Sequence, residues 1–329
     1  MAEQILLLRI IKTFVGIIGL FGNGLVCLVI YRVPALHTMT NAFIVNQAVA
    51  DLMGSVFLLL LSNIDYPAIL PEGTAGVLLC RLWISDFFLW ACFITSTFNL
   101  VGLTFERYVA IVFPFRYPTF YTKRNSCFML AAAWFLGTMF ATYSIAIRAY
   151  EGRQCAEKLL PYLKDVGFVI TIIQYFVPTF TMLFAYIHII VVLHRSANRV
   201  GVATASTATS DGREASLLRA RRNTFKTLLI VYIIYFCCWT PNLTVFAMFN
   251  LGWPLDFKGA LYIISVALAA SNSCVNPIIY ALKYRQFQNG LKRLWMSIRG
   301  REHVENVSWM VEQSADRLTY AQAQHNHDG

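Results

Sequence analysis

Charge is what this chain has least of. Only 13% of its 329 residues are Asp, Glu, Lys or Arg, while 57% are hydrophobic, and a water-soluble globule of this size carries about a quarter of its residues charged. A soluble enzyme or nucleic-acid-binding domain is excluded as the body of the chain. The net charge of +10 then reads as juxtamembrane contact with anionic lipid, and no nucleic acid is expected as a partner. Metal-ligand spacings, nucleophile motifs and phosphate-binding loops are missing too, so no enzyme and no further cofactor is expected. Cysteine is scarce outside the apolar runs. Cys27, Cys92, Cys127, Cys237, Cys238 and Cys274 lie within them and serve as small hydrophobes, leaving Cys80 and Cys155 in loops. No small-residue cleavage site follows Arg9 and Lys12, so the first apolar run is expected to act as its own insertion signal.

What is present is seven apolar stretches, at 13–31, 42–61, 83–103, 127–147, 166–193, 227–249 and 259–282, each near the ~20 residues that cross ~30 Å of hydrocarbon. An all-α, seven-helix membrane bundle is predicted. With the N-terminus outside, the inner segments (Arg116, Lys123, Arg124, Arg195, Arg219, Arg221, Arg222, Lys283, Arg285 among others) hold about twice the basic residues of the outer ones. Cys80 and Cys155 then share an oxidising face, where one disulfide is the natural inference. The expected organisation is a short extracellular N-terminus over 1–12, the bundle over 13–282, an amphipathic helix over 283–300 and a disordered cytoplasmic tail over 301–329. Phe287, Leu291, Leu294, Trp295 and Ile298 fall at helical spacing beside Lys292, Arg293 and Arg299, which places that helix on the inner leaflet, against membrane lipid. The Ala/Ser/Thr/Gly-rich stretch 195–221 reads as a flexible linker.

Three motifs carry the mechanism. Asn276-Pro277-Ile278-Ile279-Tyr280 closes the seventh stretch, and a proline there frees a backbone carbonyl in a helix built to bend. Glu106-Arg107-Tyr108 ends the third stretch, with Pro114 seven residues after the arginine; Cys238-Trp239-Thr240-Pro241 puts a proline kink in the sixth. Asp51 lies in the middle of the second stretch, where a carboxylate is costly unless paired and is functional by default. In combination these resemble the rhodopsin-like (class A) family of G protein-coupled receptors, over about residues 13–298, in a peptide-receptor-like form.

The resemblance implies a receptor at the plasma membrane that binds an extracellular ligand and activates heterotrimeric G proteins, with arrestin and a receptor kinase as further partners. It implies that Glu106 restrains Arg107 at rest and that, on release, Arg107 extends toward Tyr186 and Tyr280, with Tyr108, Trp239, Pro241, Asn276 and Pro277 completing the switch. It also implies an allosteric sodium ion held by Asp51, Ser96, Asn272, Ser273 and Asn276. Many members carry an acidic clamp for the arginine at the base of the sixth helix. Arg221 and Arg222 stand there instead, so no such clamp is expected.

A ligand cavity is expected to be lined by Leu89, Trp90, Phe93, Gln174, Trp239, Asn242, Phe246 and Tyr262, apolar and nearly uncharged, which favours a peptide. The alternative is a biogenic amine or other small molecule bound through Asp86. Amine receptors of the family place their aspartate 18 residues before the arginine, where this chain has Leu89. Cys80 precedes Arg107 by 27 residues, about two more than the family's usual spacing, so an extra turn or bulge is expected near Leu82–Phe87. A photoreceptor would need a lysine within the seventh stretch, at the place of Ala270, and a transporter would favour several mid-membrane charges.

Overall fold

The computed structural model describes residues 2–157, 161–203, 211–254 and 259–299. Among them seven runs are long and apolar enough to cross a bilayer: Leu6–Arg32, Met39–Asn63, Thr74–Val112, Lys123–Ala146, Tyr162–Arg195, Phe225–Asn250 and Ala260–Lys283. They are called the first to seventh spans below. The first two are α1 (Ala2–Arg32) and α2 (Met39–Asn63); α3 (Thr74–Leu78) and α4 (Phe87–Val112) share the third. A short α5 (Tyr117–Phe120) leads to α6 (Lys123–Ala146), the fourth span, and α7 (Pro161–Thr171) and α8 (Val177–Ala203) share the fifth. Then come α9 (Asp211–Asn250), α10 (Ala260–Lys283) and, beyond the seventh span, α11 (Arg285–Ile298).

Burial runs opposite to that of a soluble protein. Asn23, Asp51 and Glu106 are fully buried, whereas Phe21 and Phe128 are more than two-thirds exposed. Apolar side chains turned outward and polar ones turned inward are what a hydrocarbon solvent selects, because the helices satisfy their own backbone groups and no water is needed outside. α1 packs on α2 and on α10, closing the ring, while α4 runs through the middle against α2, α6 and α8. Small residues set the closest approaches. A Cβ on Gly137 would meet the Thr95 backbone nitrogen at 2.7 Å and the Ala91 carbonyl at 2.9 Å, so this position does not tolerate a side chain.

The two surplus residues of the third span are absorbed where the helix breaks. A wide π turn occupies Leu79–Trp83, a turn runs through Ser85, and α4 restarts after Asp86, whose φ of 57° lies in the left-handed region. Cys80 is buried at this break and bonded to Cys155. The partner cysteine sits on a hairpin, Arg148–Glu151 paired with Gln154–Glu157, that the all-helical reading did not include. Its turn residues Gly152 and Arg153 both have positive φ, the combination that a two-residue hairpin turn needs. Tyr150 donates to the Pro71 carbonyl at 2.7 Å and Arg153 pairs with Glu72 at 3.0 Å, tying the hairpin to the loop before α3.

Other differences are matters of extent. α1 begins at Ala2, so residues 2–12 are helical and continuous with the first span. The expected linker at 195–221 is largely helical, since α8 runs to Ala203 and α9 starts at Asp211. The Arg, Glu, Ala and Leu residues after Asp211 are strong helix formers, and a basic composition alone does not make a coil. Residues 204–210 and the tail 301–329 lie outside the described residues, as do the side chains of Arg221 and Arg222.

Candidate functional site

At the disulfide end a cavity of about 140 Å3 opens between the third to seventh spans and the hairpin. Of the lining residues named from the sequence, Trp90, Gln174, Asn242, Phe246 and Tyr262 line it, together with Asp86, Tyr143, Ser144, Arg148 and Glu157. Leu89 and Phe93 are not in its wall. Both are buried among the helices, because residues one position further along α4, Trp90 and Ile94, are rotated by about 100° and take the cavity face. The nearly uncharged lining is corrected as well. Arg148 bridges to Glu157 at 3.1 Å, its Nε is buried without a hydrogen-bond partner among the described residues, and Asp86 adds a negative charge at the rim. Lys12 and Arg148 are the cations acting on Asp86.

Below the cavity a smaller one of about 30 Å3 reaches Trp239 and Tyr235. Phe93 meets the Trp239 ring edge-on at 5.9 Å and Trp90 meets Phe93 at 6.2 Å, so an aromatic relay joins the cavity wall to the sixth span. Pro241 lies inside α9 and interrupts its hydrogen-bond ladder. One residue earlier, the Thr240 hydroxyl donates to the Phe236 carbonyl and shares a contact with the Tyr175 hydroxyl, each at 2.5 Å.

Asp51 forms the polar centre. Ser96 donates to one carboxylate oxygen at 2.9 Å; Asn276 at 2.9 Å and Gln47 at 3.3 Å donate to the other, and Ser273 also faces the group. The proline in α10 has its consequence here. Pro277 cannot bond the carbonyl of Ser273, four residues back, and Asn23 from α1 donates to that carbonyl at 2.8 Å instead. Of the expected sodium ligands, Ser96 and Asn276 therefore touch Asp51, whereas Asn272 keeps a buried acceptor oxygen without a partner among the described residues. As arranged, the donor set does not fit a cation, because hydrogens and not lone pairs are turned toward the carboxylate.

At the opposite end Glu106 and Arg107 form a bidentate pair, and Thr40 from α2 bonds to both. Tyr117 from α5 donates to the same carboxylate at 2.5 Å. Burial and the Glu106 charge push the Tyr117 phenol upward, so it remains a donor at neutral pH. Tyr284, between α10 and α11, lies 3.0 Å from the Asn41 side-chain oxygen, and burial pushes its phenol up to about 12. Tyr108 contacts His188 of the fifth span at 2.9 Å. Tyr186 lies 3.2 Å from the Thr104 hydroxyl and from the Leu228 carbonyl, while the buried Tyr280 hydroxyl has no partner among the described residues. Arg107 is thus held by its neighbour and by α2, away from the two tyrosines named as its later partners. Thr40, Tyr117, Gln47 and Asn99 were missed at the sequence level, because a lone polar residue carries no pattern until the fold gives it a neighbour.

The profile of a family described as 7 transmembrane receptor (rhodopsin family) matches residues 22–280. The chain is 27% identical over 302 residues to the RYamide receptor of Drosophila melanogaster, covering 86% of this chain and 62% of that protein. It is 26% identical over 316 residues to galanin receptor 2b of Danio rerio, covering 92% and 79% respectively. With the QRFP-like peptide receptor of Branchiostoma floridae it shares 27% identity over 288 residues, covering 82% and 72%.

Proposed function

Because this chain belongs to the rhodopsin family of seven-transmembrane receptors, we propose that it binds an extracellular peptide and in response catalyses nucleotide exchange on a heterotrimeric G protein. The single observation that carries the mechanism is the Arg107 clamp. An arginine that the switch needs free is held by Glu106, with Thr40 and Tyr117 engaging the same carboxylate, and Tyr280 is buried with its hydroxyl unpartnered among the described residues. These are the parts of a two-state element, and a ligand shifts such an equilibrium only by binding one state better.

The proposed sequence starts at the cavity. A ligand pressing on Trp90 moves Phe93, which lies against Trp239, and the kink at Pro241 lets the inner half of α9 swing outward. Tyr186, which spans from α8 to the Leu228 carbonyl of α9, then loses that partner and becomes available, with Tyr280, to the freed Arg107. The opened inner end receives the G protein, and arrestin and a receptor kinase would read the same surface. On this reading the protein lies in the plasma membrane with its N-terminus and the Cys80–Cys155 bridge outside.

A peptide is favoured because the relatives are named as receptors for RYamide, galanin and a QRFP-like peptide. The cavity supports this with both signs of charge at its rim, Asp86 and Glu157 against Arg148, which suits a chain of mixed groups better than a lone ammonium. Asp86 as an amine site is not favoured, since it stands in the turn before α4 with Lys12 and Arg148 acting on it. The test is a peptide library and an amine library screened on cells expressing the receptor with a promiscuous G protein reporter. Activation by peptides and not by amines is expected; activation by amines alone, lost in Asp86→Asn, would overturn the peptide assignment.

A further inference from the structure

The Asp51 cluster contains a residue that the cation reading leaves out. Gln47 stands one turn before Asp51 on α2, and its side-chain nitrogen donates to Asp51 and to the Ser96 hydroxyl. Which way this amide points is fixed by a chain of hydrogen bonds with a donor-only start. Trp134 can only donate, and its indole N–H lies 3.0 Å from Asn46 Oδ1. Asn46 must then turn its nitrogen away, and it donates to Asn99 Oδ1 at 2.8 Å. Asn99 is fixed a second time by the Phe43 carbonyl, to which its nitrogen donates at 3.0 Å, and it donates to Gln47 Oε1 at 2.8 Å. Gln47 is left with its N–H groups toward Ser96 and Asp51. Flipping any one amide in this series would set donor against donor or acceptor against acceptor.

We propose that the Gln47 amide, held hydrogen-first against Asp51 and Ser96 by the directional chain from Trp134, takes the place of a cation at this cluster, so that the receptor is indifferent to sodium. The Ser96 hydroxyl, which would offer a lone pair to an ion, accepts from Gln47 and donates to Asp51. The side-chain oxygen of Gln47 is turned to Asn99, away from Asp51. Among the described residues Asn23 and Asn272 keep buried acceptor oxygens without partners, but neither hydrogen-bonds to Asp51, and two amide oxygens without the carboxylate do not make a site for a hard cation. The chain also crosses from the fourth span through the second and third to Asp51, so removing Gln47 cuts it at its last link.

The experiment needs neither the ligand nor the G protein, and its outcome is therefore separate from that of the proposed function. The purified full-length receptor is melted in detergent in sodium chloride and in choline chloride of equal concentration, the sodium ion itself being the probe. The wild type is expected to melt at the same temperature in both. Gln47→Leu is expected to melt higher in sodium by about 3 °C, the shift for an ion present at roughly ten times its dissociation constant, and Asp51→Asn in that background should abolish the difference. Gln47→Met serves where the leucine variant does not fold. A wild type stabilised by sodium overturns the proposal, and so does a Gln47 variant that folds yet stays indifferent to sodium.

Discussion

At the level of single residues, Arg107 is restrained by groups that the sequence does not mark. The acidic clamp missing from the base of the sixth helix is replaced by Thr40 and Tyr117, which both engage Glu106. Tyr117→Phe removes one hydrogen bond to a charged group and leaves the ring in place, a loss of ~1 kcal/mol or more to the resting state. Basal nucleotide exchange at matched surface expression should rise about fivefold, since ~1 kcal/mol changes a two-state ratio by that factor. An unchanged or lower rate would show that Tyr117 does not hold the resting state. The carboxylate and its arginine were legible because they are adjacent and end an apolar run. Their hydroxyl partners were not, because nothing in Thr40 or Tyr117 distinguishes it from any other loop or helix-end hydroxyl until α2 and α5 converge on Glu106.

Among the elements, the break between α3 and α4 is the most individual part of the chain. The surplus spacing between Cys80 and Arg107 announced it, but its form, a π turn followed by a left-handed Asp86, depends on the hairpin and bridge that hold the outer end. Because φ at Asp86 is positive, Asp86→Gly is expected to leave thermal stability equal or higher, while Asp86→Val should lower it by ~1–2 kcal/mol. Melting of the purified variants checks this order, and equal stability for Val and Gly would contradict the backbone assignment. The bridge makes a second prediction. Cys80→Ser and Cys155→Ser should each reduce surface expression to the same extent, and the double variant should be no worse than either; clearly additive losses would contradict a single shared bond. The hairpin was hidden in the sequence because its strands are only four residues each, too short for alternation to register. The same α4 register explains Leu89 and Phe93, which sequence spacing pointed at the cavity and which the restarted helix turns into the core.

For the whole molecule, the bundle was legible because hydrocarbon imposes one rule on all seven spans: long apolar helices with their polar residues inward. The inward residues comprise the aromatic contacts from the cavity wall to Trp239, the Asp51 cluster and the held Arg107, and the central claim is that together they make the inner face a ligand-controlled catalyst of nucleotide exchange. The direct measurement is the rate of nucleotide exchange on purified heterotrimeric G proteins by the receptor reconstituted in lipid nanodiscs, with and without an activating peptide, beside Arg107→Ala at equal receptor concentration. Peptide should accelerate exchange on at least one G protein with the wild type, and the arginine variant should bind the peptide but leave exchange at the rate of G protein alone. Exchange of equal rate in the wild type and in Arg107→Ala, with peptide bound to both, would contradict the account.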